Sequence, residues 1–366
     1  MVNSINASTL EVNKSDWSTT RLVTDALSDS LQQAEVILRV DRQALTANNI
    51  SYAGAGDMLG YWGFFPTEEG WGRIPAMGWA DVLHSAHPDI AVGERVWGMF
   101  PFATHLKILA KGVTASGFHD ASAHRADYAP VYARFDRATG NPIYDPERED
   151  HDSLLRGLFM TSWLVEDFLE ENSTFGANAC LITSASSKTS IALGSCVKGR
   201  GILRSVGLTS ERNLAFCRGL NCYDDVVTYD QYNSLQAAEP VVVVDMAGSA
   251  EILSQLHHHY QDSMKYSCRV GATHYEDMGP VDDLPGATPE FFFAPGHIQT
   301  RSADIGADQL MAQLGQAYMQ FRKDSDNWLS IERHYGSDAL EHVYQSVLAG
   351  SADPRRGQVV SMWSQP

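Results

Sequence analysis

From residue 178 onward the sequence repeats one order of elements: a short apolar run, a turn rich in glycine or serine, and a helical segment. The first apolar run is Ala179-Cys180-Leu181-Ile182-Thr183, and the last one before the C-terminal helices covers residues 266–270. Strands that alternate with helices in this way predict a parallel sheet with helices on both faces. We therefore expect a doubly wound α/β domain in the second half of the chain.

The first half follows a different pattern. Between residues 20 and 118, short apolar runs such as 34–40 and 91–98 are separated by glycine-containing turns, which is typical of a small β-barrel or sandwich. Residues 119–150 are polar, and we interpret them as an insertion or a long loop. Residues 153–171 show apolar side chains at helical spacing, which predicts an amphipathic helix.

Charge and cysteine content restrict the partners and the location. The 366 residues include 45 acidic and 27 basic side chains, a formal net charge of −18. Such a surface repels phosphate backbones and anionic lipid, so we expect neither a nucleic-acid nor a membrane partner. The five cysteines are an odd number at irregular spacing without a Cys-x-x-Cys pair. This favours reduced thiols in a cytoplasmic protein and argues against a zinc site built from cysteines.

The turn after the first strand is the place where a doubly wound domain binds the phosphates of a dinucleotide. Here it reads Ser184-Ala185-Ser186-Ser187-Lys188-Thr189-Ser190. Small side chains allow a close approach of the backbone, hydroxyl groups and a helix N-terminus supply donors, and Lys188 adds a positive charge. The Gly-x-Gly-x-x-Gly pattern is missing, so a serine-rich helix N-cap without a ligand is the alternative interpretation.

The segment after the second strand bears on the choice of cofactor. It reads Gly207-Leu208-Thr209-Ser210-Glu211-Arg212-Asn213. A site for NAD usually has an acidic residue here that binds the ribose hydroxyls of adenosine. Thr209, Ser210, Arg212 and Asn213 could instead donate to a 2′-phosphate, which predicts NADP(H). Glu211 could turn outward, or it could bind the ribose and reverse this preference.

Several segments resemble the medium-chain dehydrogenase/reductase superfamily. They are residues 93–98, the helix with Thr161-Ser162-Trp163 that leads into the first strand, and the nucleotide segment ending in Val227-Thr228-Tyr229. The similarity is to the zinc-free quinone oxidoreductase and enoyl reductase branch. Residues 46–52, 59–66, 184–189 and 291–295 further resemble a largely uncharacterised family of medium-chain-reductase-like proteins.

This resemblance implies an N-terminal GroES-like β-barrel domain and a C-terminal Rossmann-type domain, with the active cleft between them. We accordingly predict a GroES-like domain in residues 1–160, including the insertion 119–150, and a Rossmann domain in residues 161–324. The tail, residues 325–366, is expected to return to the N-terminal domain as it does in relatives. Relatives usually pair through Rossmann edge strands, which implies a homodimer.

The resemblance also extends the predicted cofactor site beyond the turn and the second strand. The additional residues are Thr161, Tyr229, Asp245, Met246, Ala247, Gly271, Phe292 and Phe293. The segment with Phe292 and Phe293 closes over the nicotinamide ring in relatives, and a buried aromatic strand explains that segment equally well.

The superfamily's catalytic zinc ligands have no counterpart here. Gly78-Trp79-Ala80-Asp81 stands where a Gly-His-Glu turn would be, and the four-cysteine lobe is absent. Hydride transfer without a metal needs a donor for the oxygen that gains charge. By resemblance, Asn49 and Tyr52 lie near the nicotinamide, with Tyr52 as the proton donor and Asn49 as the orienting residue. A loop tyrosine packed on the barrel is the alternative for Tyr52.

Further residues are candidates for contact with a small-molecule substrate. Tyr61, Trp62 and Trp79 are predicted to shape an aromatic pocket, although such residues are equally suited to a core. His124 or Arg125 could pair with an anionic group of the substrate if residues 119–150 form a lid, and a salt-bridged surface loop is the alternative. The spacing of His119, Asp120 and His124 lacks a clear further ligand for a metal.

Together these features predict an enzyme, namely a zinc-independent, NADP(H)-dependent oxidoreductase. Its reaction would be the reduction of an activated C=C or C=O bond of a small, partly apolar substrate. Two alternatives stay open. The fold could retain the cofactor for a lyase or C–C-cleaving reaction without net redox change, or it could be a non-catalytic nucleotide-binding module.

Overall fold

The computed structural model describes residues 4–270 and 283–365. The chain divides into two compact units, which we call unit 1 (Met1–Leu154 with Leu329–Pro366) and unit 2 (Leu155–Trp328). The domain boundaries predicted from the sequence lie between residues 160 and 161 and between residues 324 and 325. Within the described ranges, no helix has both the length and the apolar character needed to cross a membrane.

Unit 1 is built around a closed barrel of six strands. These are β3 (Glu35–Leu45), β5 (Pro75–Ser85), β6 (Arg95–Pro101), β7 (His105–Lys111), β8 (Gly117–Asp120) and β9 (Arg134–Arg137). They pair in the order β3-β5-β6-β9-β8-β7, and β7 pairs back with β3, which closes the barrel. Side chains such as Val36, Leu38, Val96 and Phe100 fill its interior. The GroES-like barrel predicted from the resemblance is confirmed.

Residues 119–150, interpreted as an insertion or a long loop, include part of this barrel. β9 lies wholly within the segment and β8 ends in it. Phe118 and Phe135 on these strands are buried in the barrel core. The interpretation as a loop or insertion is therefore wrong for β9 and for the end of β8. The sequence does not reveal these strands, because four residues are too few for the alternation of apolar and polar side chains to be recognised.

A hairpin, two C-terminal strands and three helices complete unit 1. β1 (Ser4–Asn13) pairs with β2 (Asp16–Ser28) and with β4 (Trp71–Gly72). β17 (Arg356–Ser361) joins the barrel at β3, and β16 (Ser330–Tyr335) pairs with β17 in parallel. The helices are α1 (Ala47–Gly54), α2 (Glu149–His151) and α9 (Ser337–Leu348).

Unit 2 contains a sheet of six parallel strands. These are β10 (Ala179–Ile182), β11 (Arg204–Thr209), β12 (Asp225–Thr228), β13 (Val241–Asp245), β14 (Met264–Arg269) and β15 (Pro289–Phe291). Their order across the sheet is β12-β11-β10-β13-β14-β15. Counted from β10 this order is 3-2-1-4-5-6, that of dinucleotide-binding Rossmann domains. The predicted doubly wound parallel sheet is confirmed.

Among residues 155–270 and 283–328, six α-helices accompany this sheet. They are α3 (Gly157–Glu171), α4 (Lys188–Arg200), α5 (Glu211–Gly219), α6 (Ala250–Tyr260), α7 (Ala294–Ile305) and α8 (Ala307–Asp324). The central strands are buried on both faces, since all four residues of β10 and all five of β13 are inaccessible. This burial explains why both strands are continuous apolar runs in the sequence.

A short left-handed turn connects α3 to β10. Ser173, Thr174 and Phe175 have φ angles of 51°, 53° and 55°, and Gly176 follows at 74°. This conformation costs a residue with a Cβ roughly 1–2 kcal/mol, whereas glycine adopts it readily. The Thr174 hydroxyl donates to the carbonyl of Ala177, and the Phe175 ring stacks on another aromatic ring. Ser173 is exposed, and its side chain takes part in neither of these two contacts. The strain of its backbone is therefore not offset by them.

Replacing Ser173 by glycine should raise the free energy of unfolding by about 0.5–1 kcal/mol, because glycine removes the Cβ strain. Urea denaturation followed by circular dichroism measures this change. Glycine at Ala303, an exposed position of α7, is the matched control and should lower the free energy by a similar amount. An S173G variant no more stable than the wild type would show that the turn is unstrained there.

Candidate cofactor site and catalytic residues

The carboxyl ends of β10 and β13 are neighbours at the point where the strand order of the sheet reverses. In doubly wound domains the ligand lies in the crevice at this point. Thr183 follows β10, and Asp245 is the last residue of β13. The topology of unit 2 therefore brings these two side chains together although they are distant in the sequence.

Hydrogen bonds join Thr183 and Asp245 across the crevice. The Thr183 hydroxyl donates to Oδ1 of Asp245 at 2.7 Å and accepts from the amides of Met246 and Ala247 at 2.8 and 3.0 Å. The same Oδ1 accepts from the amides of Ala247 and Gly248 at 3.1 and 3.2 Å. One threonine hydroxyl thus fixes the first strand to the loop after the fourth.

The second carboxyl oxygen of Asp245 is in a different situation. Oδ2 is buried, and no partner for it exists among the described residues. Burial raises the pKa of the Asp245 carboxyl, and the hydrogen bonds from Thr183, Gly248 and Ala247 oppose this effect only in part. A buried oxygen without a partner is costly. Oδ2 therefore marks a position that a ligand hydroxyl or amide would satisfy.

Removing the Thr183 hydroxyl should destabilise the protein, because Thr183→Val removes the buried hydrogen bonds that the hydroxyl forms with the Met246 and Ala247 amides and with Oδ1 of Asp245. We expect a loss of roughly 2–3 kcal/mol in the free energy of unfolding, measured by urea denaturation. Thr183→Ser keeps the hydroxyl and should lose much less. Equal losses in the two variants would contradict a role for the hydroxyl.

The turn between β10 and α4 adopts the conformation of a glycine-rich turn without its first glycine. Ser184 has a φ angle of 51°, and its amide donates to the Tyr229 hydroxyl at 2.8 Å. The Ser187 side chain caps α4 by accepting from the amide of Ser190. Helix α4 begins with Lys188 and Thr189, directly after this cap.

Two glycines outside the predicted set bring this turn close to its neighbours. A Cβ at Gly207 of β11 would lie 2.9 Å from the Cβ of Ala185, and one at Gly194 of α4 would lie 2.5 Å from the Tyr223 ring. The Tyr223 hydroxyl donates to the carbonyl of Ala185 at 2.8 Å. In the usual motif the third glycine allows the helix to pack closely on the sheet. Here Gly194 and Gly207 allow the close packing instead. In the sequence, the apolar residues that flank Gly194 and Gly207 are the only indication that these glycines lie in a closely packed region.

These features fit a dinucleotide. The N-terminus of α4 offers backbone amides and a positive dipole end to a phosphate. The small side chains of the turn permit a close approach, and the buried Oδ2 of Asp245 can accept from a ribose hydroxyl or a carboxamide. Within the serine-rich turn, Ser184 gives its amide to Tyr229.

The segment after β11 is also part of this end of the sheet. Asn213 Nδ2 donates to the hydroxyl of Ser186 at 3.0 Å, which links α5 to the turn. Thr209 is buried, and its hydroxyl bonds to the thiol of Cys217. Ser210 is the N-cap of α5, while Glu211 and Arg212 are exposed in its first turn.

The remaining predicted cofactor residues are distributed as follows. Thr161 lies within α3 with its hydroxyl bonded to the carbonyl of Gly157. Phe292 directly follows β15 and is buried, whereas Phe293 is half exposed at the N-cap of α7. Gly271 lies outside the described residues.

In unit 1, Asn49 occupies the third position of α1. Its Oδ1 accepts from the amide of Thr46 at 2.7 Å, and its Nδ2 donates to the carbonyl of Pro75 at 2.8 Å. With Thr46 it forms a capping box, and its side chain is buried. Asn49 thus fixes the start of the helix that carries Tyr52.

Tyr52 faces a cluster of aromatic rings. Its ring meets that of Tyr61 edge-on at 4.9 Å between centroids, and Tyr61 meets Tyr132 at 6.1 Å. Burial raises the pKa of Tyr52, Tyr61 raises it further, and a hydrogen bond from Asn48 lowers it. Burial raises the pKa of Tyr132 to about 12. These phenols stay protonated at neutral pH, so they can donate hydrogen bonds.

Arg125 and Tyr128 attach residues 121–133 to the loop before β4. The Arg125 guanidinium donates to the carbonyls of Phe64 and Tyr132 and lies over the Phe64 ring at 4.8 Å. The Tyr128 hydroxyl donates to the carbonyl of Gly60, and a Cβ at Gly63 would collide with it. Burial lowers the pKa of Arg125. Its Nε lies 4.0 Å from a carboxylate oxygen of the buried Asp120 and has no hydrogen-bond partner among the described residues. His124 is exposed.

The two predicted pocket tryptophans are both core residues. Trp79 lies inside strand β5 rather than in a turn, is fully buried, and donates from Nε1 to the carbonyl of Glu149 at 3.0 Å. Trp62 is buried against Gly56 and Gly72, where any Cβ would overlap its indole. Among residues 4–270 and 283–365, no group of three or more His, Cys, Asp or Glu side chains is arranged to hold a metal ion.

A family model described as "Protein of unknown function (DUF2855)" matches residues 43–353. The chain belongs to this family. The comparison with curated proteins gives no match. The chain is therefore placed by its family model and by its fold.

Solved structures share the architecture over nearly the whole chain. CurA from Vibrio vulnificus in complex with NADPH has a TM-score of 0.64 at 12% identity and covers 98% of this chain and 100% of its own. A putative NADPH:quinone reductase from Mesorhizobium loti has a TM-score of 0.61 at 11% identity and covers 99% and 100%. An enoyl thioester reductase from Candida tropicalis, in mutant form, has a TM-score of 0.56 at 12% identity and covers 98% of this chain and 100% of its own. These similarities establish the fold of the medium-chain quinone and enoyl reductases.

Proposed function

We propose that the chain is a zinc-independent, NADP(H)-dependent oxidoreductase that reduces an activated C=C or C=O bond of a small, partly apolar substrate. The observation that carries this proposal is the crevice at the reversal of strand order, where Thr183, Asp245 and the N-terminus of α4 meet. Neighbours of the same fold were solved with NADPH, and with NADP and crotonyl-CoA. Their ligands support the class of cofactor and of substrate proposed here.

The residues of unit 2 bind and orient the cofactor, which supplies a hydride when bound. The α4 amides and the Lys188 side chain hold the phosphates, and Asp245 accepts a hydrogen bond through Oδ2. Ser210, Arg212 and Asn213 favour a 2′-phosphate, because a guanidinium forms strong charge-assisted hydrogen bonds with a phosphate.

The residues of unit 1 act on the substrate. Tyr52 donates a hydrogen bond or a proton to the substrate, since burial keeps its hydroxyl protonated. Asn49 acts by holding α1 in place, because both ends of its side-chain amide are engaged. A homodimer and a cytoplasmic location remain predictions from the resemblance and the cysteine content.

Arg212→Ala should weaken NADPH binding by about tenfold or more and leave NADH binding unchanged, because only NADPH carries the 2′-phosphate. Isothermal titration calorimetry with both nucleotides measures this difference. Arg218→Ala removes an exposed arginine from the last turn of the same helix and is the control. Equal losses for NADPH and NADH, or no loss in R212A, would contradict the assignment of the 2′-phosphate site.

Tyr52→Phe should lower kcat by about 10²-fold with a substrate found by screening enones and ketones, because the general acid is removed. NADPH affinity should not change. Consumption of NADPH in step with product formation separates a reductase from the alternative without net redox change. Unchanged turnover in Y52F would remove Tyr52 from the mechanism.

A further inference from the structure

The peptide group between Ala185 and Ser186 lies in the turn that joins β10 to α4. Its carbonyl, on Ala185, accepts a hydrogen bond of 2.8 Å from the hydroxyl of Tyr223, a buried residue outside the predicted set. Its N–H, on the partly exposed Ser186, donates to no group among the described residues. The acceptor end of this peptide group is therefore bound by the protein, and its donor end is available to a ligand.

The geometry of the peptide group turns the contact at the carbonyl into a direction for the amide. A trans peptide group is planar, and its C=O and N–H point in opposite directions. The peptide bonds of the described residues are all trans. Because the Ala185 carbonyl points at Tyr223, the Ser186 N–H points away from Tyr223. The turn that carries this N–H is the place where doubly wound domains bind a pyrophosphate.

The Tyr223 hydroxyl is a fixed donor. The ring fits against two glycines, since a Cβ at Gly194 of α4 would lie 2.5 Å from it and one at Gly207 of β11 would lie 3.1 Å from it. Burial raises the pKa of Tyr223, so the hydroxyl keeps the proton that it donates. The ring is thus held between α4 and β11, with its hydroxyl at the Ala185 carbonyl.

Other hydrogen bonds hold the atoms next to this peptide group. The Ala185 amide donates to the carbonyl of Leu208 at 2.9 Å, and the Ser186 hydroxyl accepts from Asn213 at 3.0 Å. Both bonds use atoms other than the Ala185 carbonyl and the Ser186 N–H. Tyr223 therefore acts on a group that these bonds do not hold.

We infer that Tyr223 is a positioning residue of the cofactor site, which aims the Ser186 N–H at the pyrophosphate of the dinucleotide. This inference rests on the proposed function, in which the turn binds the phosphates of NADP(H). In the usual motif a glycine lets the backbone approach the pyrophosphate. Here a hydroxyl from outside the turn orients a backbone that carries small side chains.

The test observes the Ser186 amide directly. The sequence contains four Ala-Ser pairs, at residues 7–8, 115–116, 121–122 and 185–186. Protein made with carbonyl-¹³C alanine and ¹⁵N serine therefore gives four signals in an HNCO spectrum, and Ser186→Thr assigns the signal of Ser186 by its loss. In the wild type, NADPH should shift the Ser186 amide proton downfield, as expected for a charge-assisted hydrogen bond to phosphate.

Tyr223→Phe removes the hydroxyl and keeps the ring. We expect the affinities for NADPH and for NADH to fall equally, by about fivefold, because both nucleotides carry the pyrophosphate. Adenosine 2′-phosphate, which lacks the pyrophosphate, should bind the variant and the wild type equally. Isothermal titration calorimetry measures the three affinities. The equal loss for the two dinucleotides distinguishes Y223F from R212A, which should affect NADPH alone.

Tyr344→Phe is the matched control for loss of stability. It removes a hydrogen bond of the same kind and length, from the hydroxyl of a buried tyrosine to the carbonyl of Trp17 at 2.8 Å, within unit 1. Both variants should lose a similar amount of stability in urea denaturation. Only Y223F should lose dinucleotide affinity and show a smaller shift of the Ser186 amide at saturation.

The outcomes separate the role of Tyr223 from the proposed function. Wild-type affinity in Y223F, an equal loss in Y344F, or an equal loss for adenosine 2′-phosphate would overturn this role while the proposed function stands. A loss in Y223F that spares adenosine 2′-phosphate would support it.

If neither dinucleotide binds the wild type, the proposed function fails, and inorganic pyrophosphate becomes the probe of the Ser186 amide. A shift of the amide signal that Y223F reduces would still support the role of Tyr223. No shift, or an equal shift in Y223F, would overturn this role as well.

Discussion

The hydrogen bond between Thr183 and Asp245 is the interaction on which the arrangement of the candidate cofactor site depends. The two residues end neighbouring strands at the point where the order of the parallel sheet reverses, and their contact spans the crevice at that point. One hydroxyl serves the carboxylate and two backbone amides. This leaves Asp245 with one oxygen satisfied by protein and one buried oxygen without a partner among the described residues. A rigid crevice with one unsatisfied acceptor is suited to a ligand with hydroxyl or amide donors.

In unit 1, backbone carbonyls, aromatic rings and the Asp120 carboxylate surround the guanidinium of Arg125 beside the aromatic cluster. Arg125 is buried, yet its donors bond to two carbonyls and its face covers aromatic rings. Tyr128 fits against glycines, since a Cβ at Gly63 would overlap its hydroxyl. The result is a fixed surface of phenols whose hydroxyls stay protonated, which suits donation to an uncharged carbonyl better than recognition of an anion.

The sequence predicts the parts of the fold that local periodicity encodes. The strands of unit 2 are recognisable because burial on both faces makes them continuous apolar runs, as in residues 241–244. β8 and β9 escape prediction because four residues carry too little periodicity. The resemblance predicted a Rossmann-type parallel sheet, and the observed strand order of 3-2-1-4-5-6 is that of such a sheet.

Side-chain roles are harder to predict, because they depend on partners that are remote or on small differences in helix position. Thr183 and Asp245 are 62 residues apart, so their contact leaves no local signal. The partner of Arg125 at the carbonyl of Phe64 is 61 residues away. Asn48 and Asn49 are adjacent and chemically identical, and only the structure shows that Asn49 is the one that caps α1.

The most direct test of the central claim, that unit 2 carries a working dinucleotide site, is a titration of the ligand-free protein with NADPH and with NADH. Energy transfer from the eight tryptophans to the nicotinamide reports binding. We expect saturable binding of NADPH and at least about tenfold weaker binding of NADH, since one charge-assisted phosphate contact accounts for such a difference. If neither nucleotide binds at any accessible concentration, the crevice is not a cofactor site and the oxidoreductase proposal is wrong.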